Sequence, residues 1–315
     1  MSIFKEINLN GLTKYSIKDR PSKISLKDFS HPQKISLNDF WKSLPNVLKV
    51  KEMNELLDKC VNAYQKQKPI IIALGGHVIK CGLSPFIIDL MKMGAIKALA
   101  SNGSVVIHDF EIAEFGKTSE DVATALEDGT FGMVSETNDL INSIIKNGAK
   151  ERSGYGEAIG KYLVETNAPN NQFSLFANAW QQKVSFTVHV ALGTDINHQH
   201  ETANGSAIGE CSLRDFRIFC SNLIEMNDGG IFLNFGSAVI LPEVFLKAVT
   251  VVRNLGYPLK NFQTAVFDMN FHYRPQTNIV HRPTLSGGKG YYFIGHHEFM
   301  IPLFLLTLKE RLNNA

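Results

Sequence analysis

Between residues 46 and 310 the chain alternates two hydrophobic rhythms. Over residues 47–67 apolar positions recur at helical spacing (Val50, Met53, Leu56, Leu57, Cys60, Val61, Tyr64), and Pro69 ends the run. Residues 70–74 then form a short β-branched block that opens onto Gly75-Gly76-His77, and helical spacing returns over residues 85–93. Strand, glycine turn and helix make the opening of a βαβ unit. The same reading predicts a strand over residues 98–100 leading into Ser101-Asn102-Gly103-Ser104, and another apolar run over 105–107 leading into His108-Asp109. Later strands are expected over 184–192, 230–234, 263–267 and 291–294, with helices over 136–146, 213–225 and 243–255. Strands that are apolar along their whole length belong in a parallel sheet covered on both faces. The expected fold is therefore α/β, a Rossmann-like doubly wound parallel sheet forming one domain over residues 46–315.

Residues 1–45 read differently, as an N-terminal arm. They are rich in Lys, Ser and Asn and carry a near repeat, Lys23-Ile-Ser-Leu-Lys-Asp-Phe29 and Lys34-Ile-Ser-Leu-Asn-Asp-Phe40. In each copy Ser precedes a Leu-x-Asp-Phe turn and is placed to cap a short helix. Two copies do not make a solenoid. The arm is expected to lay its Ile, Leu and Phe residues on the core or on a neighbouring subunit.

Composition narrows the partners. The formal charge is +2 over 315 residues with no long basic block, which leaves no electrostatic footprint for nucleic acid or an anionic membrane. No apolar run approaches the ~20 residues of a membrane span, and the first residues lack a secretory apolar segment. Cys60, Cys81, Cys211 and Cys220 are widely spaced in apolar contexts, which fits reduced thiols and a cytoplasmic location. A small molecule is the expected partner.

Polar and glycine residues gather where the predicted strands end. Gly75-Gly76-His77, Ser101-Asn102-Gly103-Ser104, Gly193-Thr194-Asp195 and Asn234-Phe235-Gly236-Ser237 each follow an apolar run. Such loops let a ligand approach the backbone, and the amides of a following helix suit phosphate. None is a GxGxxG fingerprint or a Walker motif.

The order of these segments resembles the deoxyhypusine synthase family. The resemblance rests on Gly75-Gly76, Gly82-Leu83 with Ile87-Ile88-Asp89-Leu90-Met91, Ala98 to Gly103, and His108-Asp109. It continues through Ala179-Trp180-Gln181-Gln182-Lys183-Val184 with Asp195, Gly229 to Ser237, and the closing Glu298 to Leu306 segment, and so covers roughly residues 45–310. The resemblance implies NAD at the strand ends, a homotetramer and transferase chemistry at a subunit interface. The cofactor-binding candidates are then Gly75, Gly76, Ser101, Asn102, Gly103, Asp195, Gly236 and Ser237. The chain departs from the family where an imine-forming lysine is due: residues 273–283 contain none, and Lys289 lies nearer the terminal helix. The lysine-histidine pair expected after the glycine triplet is replaced by Ala238-Val-Ile-Leu-Pro242. Aminobutyl transfer through an imine is not supported by this sequence.

Six of the ten histidines fall in three clusters instead: His189 with His198 and His200, His281, and His296 with His297. Imidazole can donate, accept, protonate or ligate near neutral pH. The candidate catalytic groups are His198, His200, His296, His297, Glu298 and Asp195, one of them serving as general acid or base. If residues 198–200 are extended, His198 and His200 share a side and with Asp195 or Glu298 could hold a divalent metal. Arg274, His281 and Arg282 are the candidates for gripping a carboxylate or phosphate. Arg214-Asp215-Phe216-Arg217 reads as a helix surface with internal ion pairs. The first functional reading is an NAD-binding enzyme acting on a small amine- or carboxylate-bearing metabolite through His, Asp and Glu groups. The alternatives are a metal-dependent lyase or hydrolase on the same sheet, with His198, His200 and His297 as ligands, and a non-catalytic nucleotide-binding protein.

Overall fold

A computed structural model describes residues 37–314. Most of the 1–45 arm, including the first copy of its repeat, lies outside the described residues. The chain divides into two units, residues 1–51 and 52–315. In the first, helix α1 (Leu37–Ser43) carries a Ser43 hydroxyl that donates to the Phe40 carbonyl at 2.7 Å. The boundary falls within α2 (Leu48–Gln65).

The second unit contains the rest of α2, whose buried Met53, Leu56, Leu57, Cys60 and Ala63 recur at three- and four-residue steps and make one apolar stripe. There follow β1 (Ile70–Leu74), α3 (His77–Lys80), α4 (Ser84–Lys92), β2 (Ile96–Ser101), α5 (Gly103–Phe115), α6 (Val122–Asp128), α7 (Ser135–Glu151), α8 (Tyr155–Glu165), α9 (Leu175–Gln182) and β3 (Ser185–Val188). The second half runs α10 (Gly205–Ile224), β4 (Ile231–Phe235), α11 (Ile240–Asn254), β5 (Phe262–Asp268), α12 (Tyr273–Pro275), β6 (Gly288–Ile294) and α13 (His297–Asn313).

The six strands pair in the order β3-β2-β1-β4-β5-β6, every pair parallel. Leu74 lies beside Ser101 on one side and Phe235 on the other, and Phe235 lies beside Phe267, so the strand carboxyl ends stay level along one edge. The chain first builds outward through β2 and β3, then returns to the other side of β1 for β4, β5 and β6. A switch of this kind between β1 and β4 opens a crevice beyond the carboxyl ends.

Every residue of β1, β4 and β5 is buried, Asn234, Gln263, Thr264 and Asp268 included, as central strands of a sheet covered on both faces require. On one face Phe219 and Leu223 of α10 and Phe245 and Val249 of α11 pack over Ile71, Phe232 and Val266. The Phe232 and Phe245 rings stack with centroids 3.9 Å apart. On the other face Phe304 of α13 meets Phe267 at 4.9 Å, and Phe267 meets Phe235 at 5.1 Å. Adjacent strand residues thus feed opposite cores, and a single Phe→Ala change in either would cost about 3–5 kcal/mol.

Three expectations are corrected here. Residues 105–107 are helical, inside α5, where Val105, Val106, Ile107, Phe110 and Ala113 are all buried. The strand expected over 184–192 ends at Val188. Arg214 does pair with Glu210 along α10, but Asp215 is not a surface residue: it is 1% exposed. Its Oδ2 accepts the Val188 amide at 2.7 Å and the Gly156 amide at 3.0 Å, tying edge strand β3 and the start of α8 to α10. Burial lifts the Asp215 carboxyl to about 7 against the pull of those amides. Asp109 is a second buried carboxylate, accepting from the Ser174 hydroxyl and the Leu175 and Phe176 amides at the start of α9.

The four cysteines are free thiols, three of them buried. Among the described residues no helix is long and apolar enough to cross a membrane.

Candidate functional site

Where the strands stop, the chain spends glycine. The Gly75 amide donates to Phe235 O, the Gly236 amide to Phe267 O and the Gly295 amide to Asp268 O, so each strand leaves the sheet bonded to its neighbour. A Cβ on Gly75 would lie 2.3 Å from Gly236 O, and one on Gly236 would lie 2.6 Å from the His297 ring. Gly236 also has φ +69°, which disfavours any side chain there. The loops after β1 and β4 therefore touch at the switch point, and His297, the first residue of α13, packs against them. Its ring meets that of His77 edge-on at 5.7 Å.

Around this seam lie buried polar side-chain atoms with no hydrogen-bond partner among the described residues. Among the described residues ten buried side-chain nitrogen or oxygen atoms have no hydrogen-bond partner, and six of them belong here: Ser101 Oγ, Asp195 Oδ2, His198 Nε2, Asn234 Oδ1 and both ring nitrogens of His297. Such groups cost about 1–3 kcal/mol each when left unpaired, so their concentration at one edge marks a ligand surface better than any one residue does. Burial raises the Asp195 carboxyl to about 6 and lowers the His198 and His297 imidazoles below their ordinary value, with Asp268 opposing the shift at His297. At neutral pH both imidazoles are therefore neutral and can each donate and accept.

The remaining sequence candidates scatter. Residues 196–199 form a 3₁₀ turn, not an extended segment, so His198 and His200 do not share a side. His198 Nδ1 accepts the Gly193 amide at 3.2 Å, whereas His200 donates through Nε2 to Gly132 O at 3.0 Å with Nδ1 3.5 Å from Asp139. His200 thus fastens a loop. His189 lies in the core, 3.0 Å from the Thr187 hydroxyl and edge-on to Phe219. His296 and Glu298 are exposed, 3.9 Å apart, with Cys81 Sγ 3.9 Å from Glu298 Oε2. Arg274 pairs with Glu243 at 3.5 Å on the surface. His281 and Arg282 are exposed in the segment that leads back to the start of β6, where Arg282 donates to Asn278. Among the described residues no group of three His, Cys, Asp or Glu side chains is arranged to hold a metal ion. The two-His, one-carboxylate site does not form.

Of the glycine-loop candidates, Ser101 and Gly103 lie at the end of β2 and the start of α5, with Asn102 between them. Ser237 is committed, its hydroxyl accepting the Leu241 amide at the start of α11. Gly103 is glycine for an internal reason: a Cβ there would sit 2.0 Å from Asp195 Oδ2. The protein lays its own carboxylate over the first turn of α5, where the helix dipole favours an anion.

Sequence reasoning passed over three further side chains on the β2 side of the seam. Ser104, His108 and Glu111 follow one another at four- and three-residue steps on α5 and line a cavity of about 260 Å³ with Lys80, Glu120 and Asp195. The stripe is visible in the sequence once residues 103–115 are taken as helix.

No family model matches the chain. A deoxyhypusine synthase-like protein of Chlorobaculum parvum is 25% identical over 222 residues, 62% of this chain and 62% of that one. A "putative deoxyhypusine synthase" of Entamoeba histolytica superposes with TM-score 0.51 at 11% identity, covering 86% of this chain and 92% of that one. The chain is thus similar in sequence to a deoxyhypusine synthase-like protein and shares its fold with a putative deoxyhypusine synthase. The fold recurs in unliganded AgrE, with TM-score 0.51 and 13% identity over 83% of this chain and 32% of AgrE. The chain thus covers less than two thirds of its deoxyhypusine synthase-like relative in C. parvum. The chain keeps Lys289 away from the candidate site. The residue is second in β6, at the opposite edge of the sheet, where its Nζ lies 2.5 Å from Glu55 and 4.9 Å from the Tyr291 ring centroid.

Proposed function

We propose that the protein is an NAD-binding enzyme that acts on a small polar metabolite at the carboxyl edge of its sheet, without an imine at Lys289. The observation that supports this most is the set of unsatisfied buried atoms at the seam, Ser101 Oγ, Asp195 Oδ2, His198 Nε2, Asn234 Oδ1 and the His297 nitrogens. They are donors and acceptors in a row several strands long, a pattern suited to ribose hydroxyls and a carboxamide. Gly75, Gly76, Ser101, Asn102, Gly103 and Gly236 supply the backbone approach that NAD needs, and His297, His198 and Asp195 are the side chains that would meet it. Bound there, the cofactor would supply reversible hydride chemistry, while the protein contributes orientation and proton-handling groups. A pyrophosphate at the α5 terminus would have to displace the Asp195 carboxylate, so Asp195 is the residue whose position should change most on binding. A homotetramer and a cytoplasmic setting are carried with this reading as expectations.

The test is thermal and direct. A ligand that binds the folded protein raises its melting temperature by mass action, by about 2.7 kcal/mol of stability at one hundred times Kd. NAD or NADH should give a concentration-dependent rise that Ser101→Val and Asn234→Leu each diminish. No rise with NAD, NADH or NADP, together with no dinucleotide in the native mass spectrum of freshly purified protein, would exclude the cofactor.

A further inference from the structure

We propose that His108 is the acid–base residue of the cavity between α3, α5 and the Asp195 loop, and that the cavity takes a small carboxylate also bearing a hydroxyl or amine. The inference goes beyond the NAD reading and stands without it.

The argument starts from the direction of two hydrogen bonds. Thr118 has one hydroxyl proton and donates it to Glu111 Oε2 at 2.5 Å. Toward His108 Nδ1, 2.8 Å away, the same oxygen can then only accept. His108 must therefore carry its proton on Nδ1, which leaves Nε2 with a bare lone pair. The relay is braced from behind, because Thr137 donates to the other oxygen of Glu111 at 3.1 Å. A neutral imidazole held in one tautomer by a carboxylate, with the opposite nitrogen unpaired, is the arrangement a general base requires.

The surroundings point that nitrogen's side of the ring at the cavity. A Cβ on Gly76 would lie 3.2 Å from His108 Cδ2 and 2.6 Å from Ser104 Oγ, so the glycine leaves room where the ring and the hydroxyl converge. The charged and titratable groups facing the ring are His77 and Lys80 from α3, Glu111 from its own helix, Glu120 from the following segment and Asp195 from the loop after β3. Burial first, then Lys80 and His77, hold the imidazole down at about 4, so it is neutral at physiological pH.

Lys80 identifies the ligand. It is exposed at the mouth of the cavity and makes no ion pair with the described residues, whereas Glu111 and Glu120 are engaged by Thr118, Thr137 and the Gly132 amide. A carboxylate on Lys80 would neutralise one of the charges that depresses His108, so binding would make Nε2 more basic. The proton step is then balanced: a hydroxyl or ammonium proton of the ligand passes to Nε2, its electron pair stays on the ligand oxygen or nitrogen, and Nδ1 keeps its proton on Thr118. Glu111 offsets the imidazolium so formed.

The experiment uses the full chain labelled with ¹⁵N-histidine. The expected spectrum places the His108 proton on Nδ1, and adding glycolate or glycine moves its titration midpoint upward in the wild type but not in Lys80→Met. Diethylpyrocarbonate should modify His108, mapped by mass spectrometry, at least several-fold more slowly in Thr118→Val, while Thr118→Ser matches the wild type. If Thr118→Val fails to fold, Glu111→Gln serves in its place and should lower the midpoint. A proton on Nε2 in the wild type, a midpoint indifferent to either probe, or equal reactivity in the relay variants would each overturn the assignment.

Discussion

Gly103→Ala separates two accounts of why a glycine opens α5. Residue 103 does not occupy the left-handed region, so the backbone accepts alanine, and helix propensity alone would favour the change by up to about 1 kcal/mol. What opposes it is the Asp195 carboxyl, with Oδ2 2.0 Å and Cγ 2.5 Å from the new Cβ. The carboxyl can swing aside only by leaving its buried place over the first turn of α5. Together with overpacking, the net penalty should be about 1–3 kcal/mol. In an Asp195→Ala background the obstruction is gone, and the same substitution should be neutral or slightly stabilising. Urea unfolding of the four proteins, followed by circular dichroism, yields the coupling. A value below about 0.5 kcal/mol, the level at which independent sites add, would refute the contact as the reason for glycine. An unchanged fold whose NAD response alone is lost in Gly103→Ala would assign the glycine to the ligand instead.

Three further outcomes are expected. Asp215→Ala leaves the Val188 and Gly156 amides unpaired and should cost about 2–5 kcal/mol, while Asp215→Asn, which can keep both bonds on one oxygen, should cost much less at pH 8. Because the folded pKa of Asp215 is raised to about 7, its favourable contribution is complete below about pH 4 and fades as pH rises through 7. Asp215→Asn should therefore gain on the wild type between pH 5 and pH 8 by as much as about 1.4 kcal/mol per pH unit, and urea midpoints that run parallel would contradict the raised pKa. His200→Ala should speed hydrogen exchange around Gly132 and cost about 1 kcal/mol, leaving any NAD response intact; a selective loss of that response would return His200 to the site. Lys289→Met breaks a half-exposed ion pair at the far edge of the sheet and should change stability by about 1 kcal/mol or less, and borohydride treatment with spermidine should leave Lys289 unmodified.

The parts of the fold legible in the sequence were those whose local pattern and final environment agree. Residues 70–74 and 263–267 read as strands because all but Gln263 are apolar or small, and each became a fully buried strand. Residues 105–107 misled because three apolar residues in a row have no period of their own, and α5 buries that run within a helix. Helices α8 and α9 went unassigned: their sequences are dotted with Gly, Asn and Gln, and what holds them is the pair of distant carboxylates Asp215 and Asp109. The site followed the same rule. That Gly75, Ser101 and Gly236 end strands could be read because strand-end position is a sequence property, whereas separating His297 from His296, or His198 from His200, depends on one turn of backbone. The place of His108 beside Ser104 and Glu111 was missed along with its helix.

His297 also fixes when the site can come into being. It stands on the seam between Gly75 and Gly236, yet it follows Gly75 by more than two hundred residues and opens the last of the described helices. A nascent chain that has already formed β1, β2 and β4 would have a floor with one wall absent, and its unsatisfied polar atoms would lie open to water. The candidate surface is thus completed only once α13 has been made and docks. Fragments that stop short of residue 297 should fold poorly at this edge or bind nothing there.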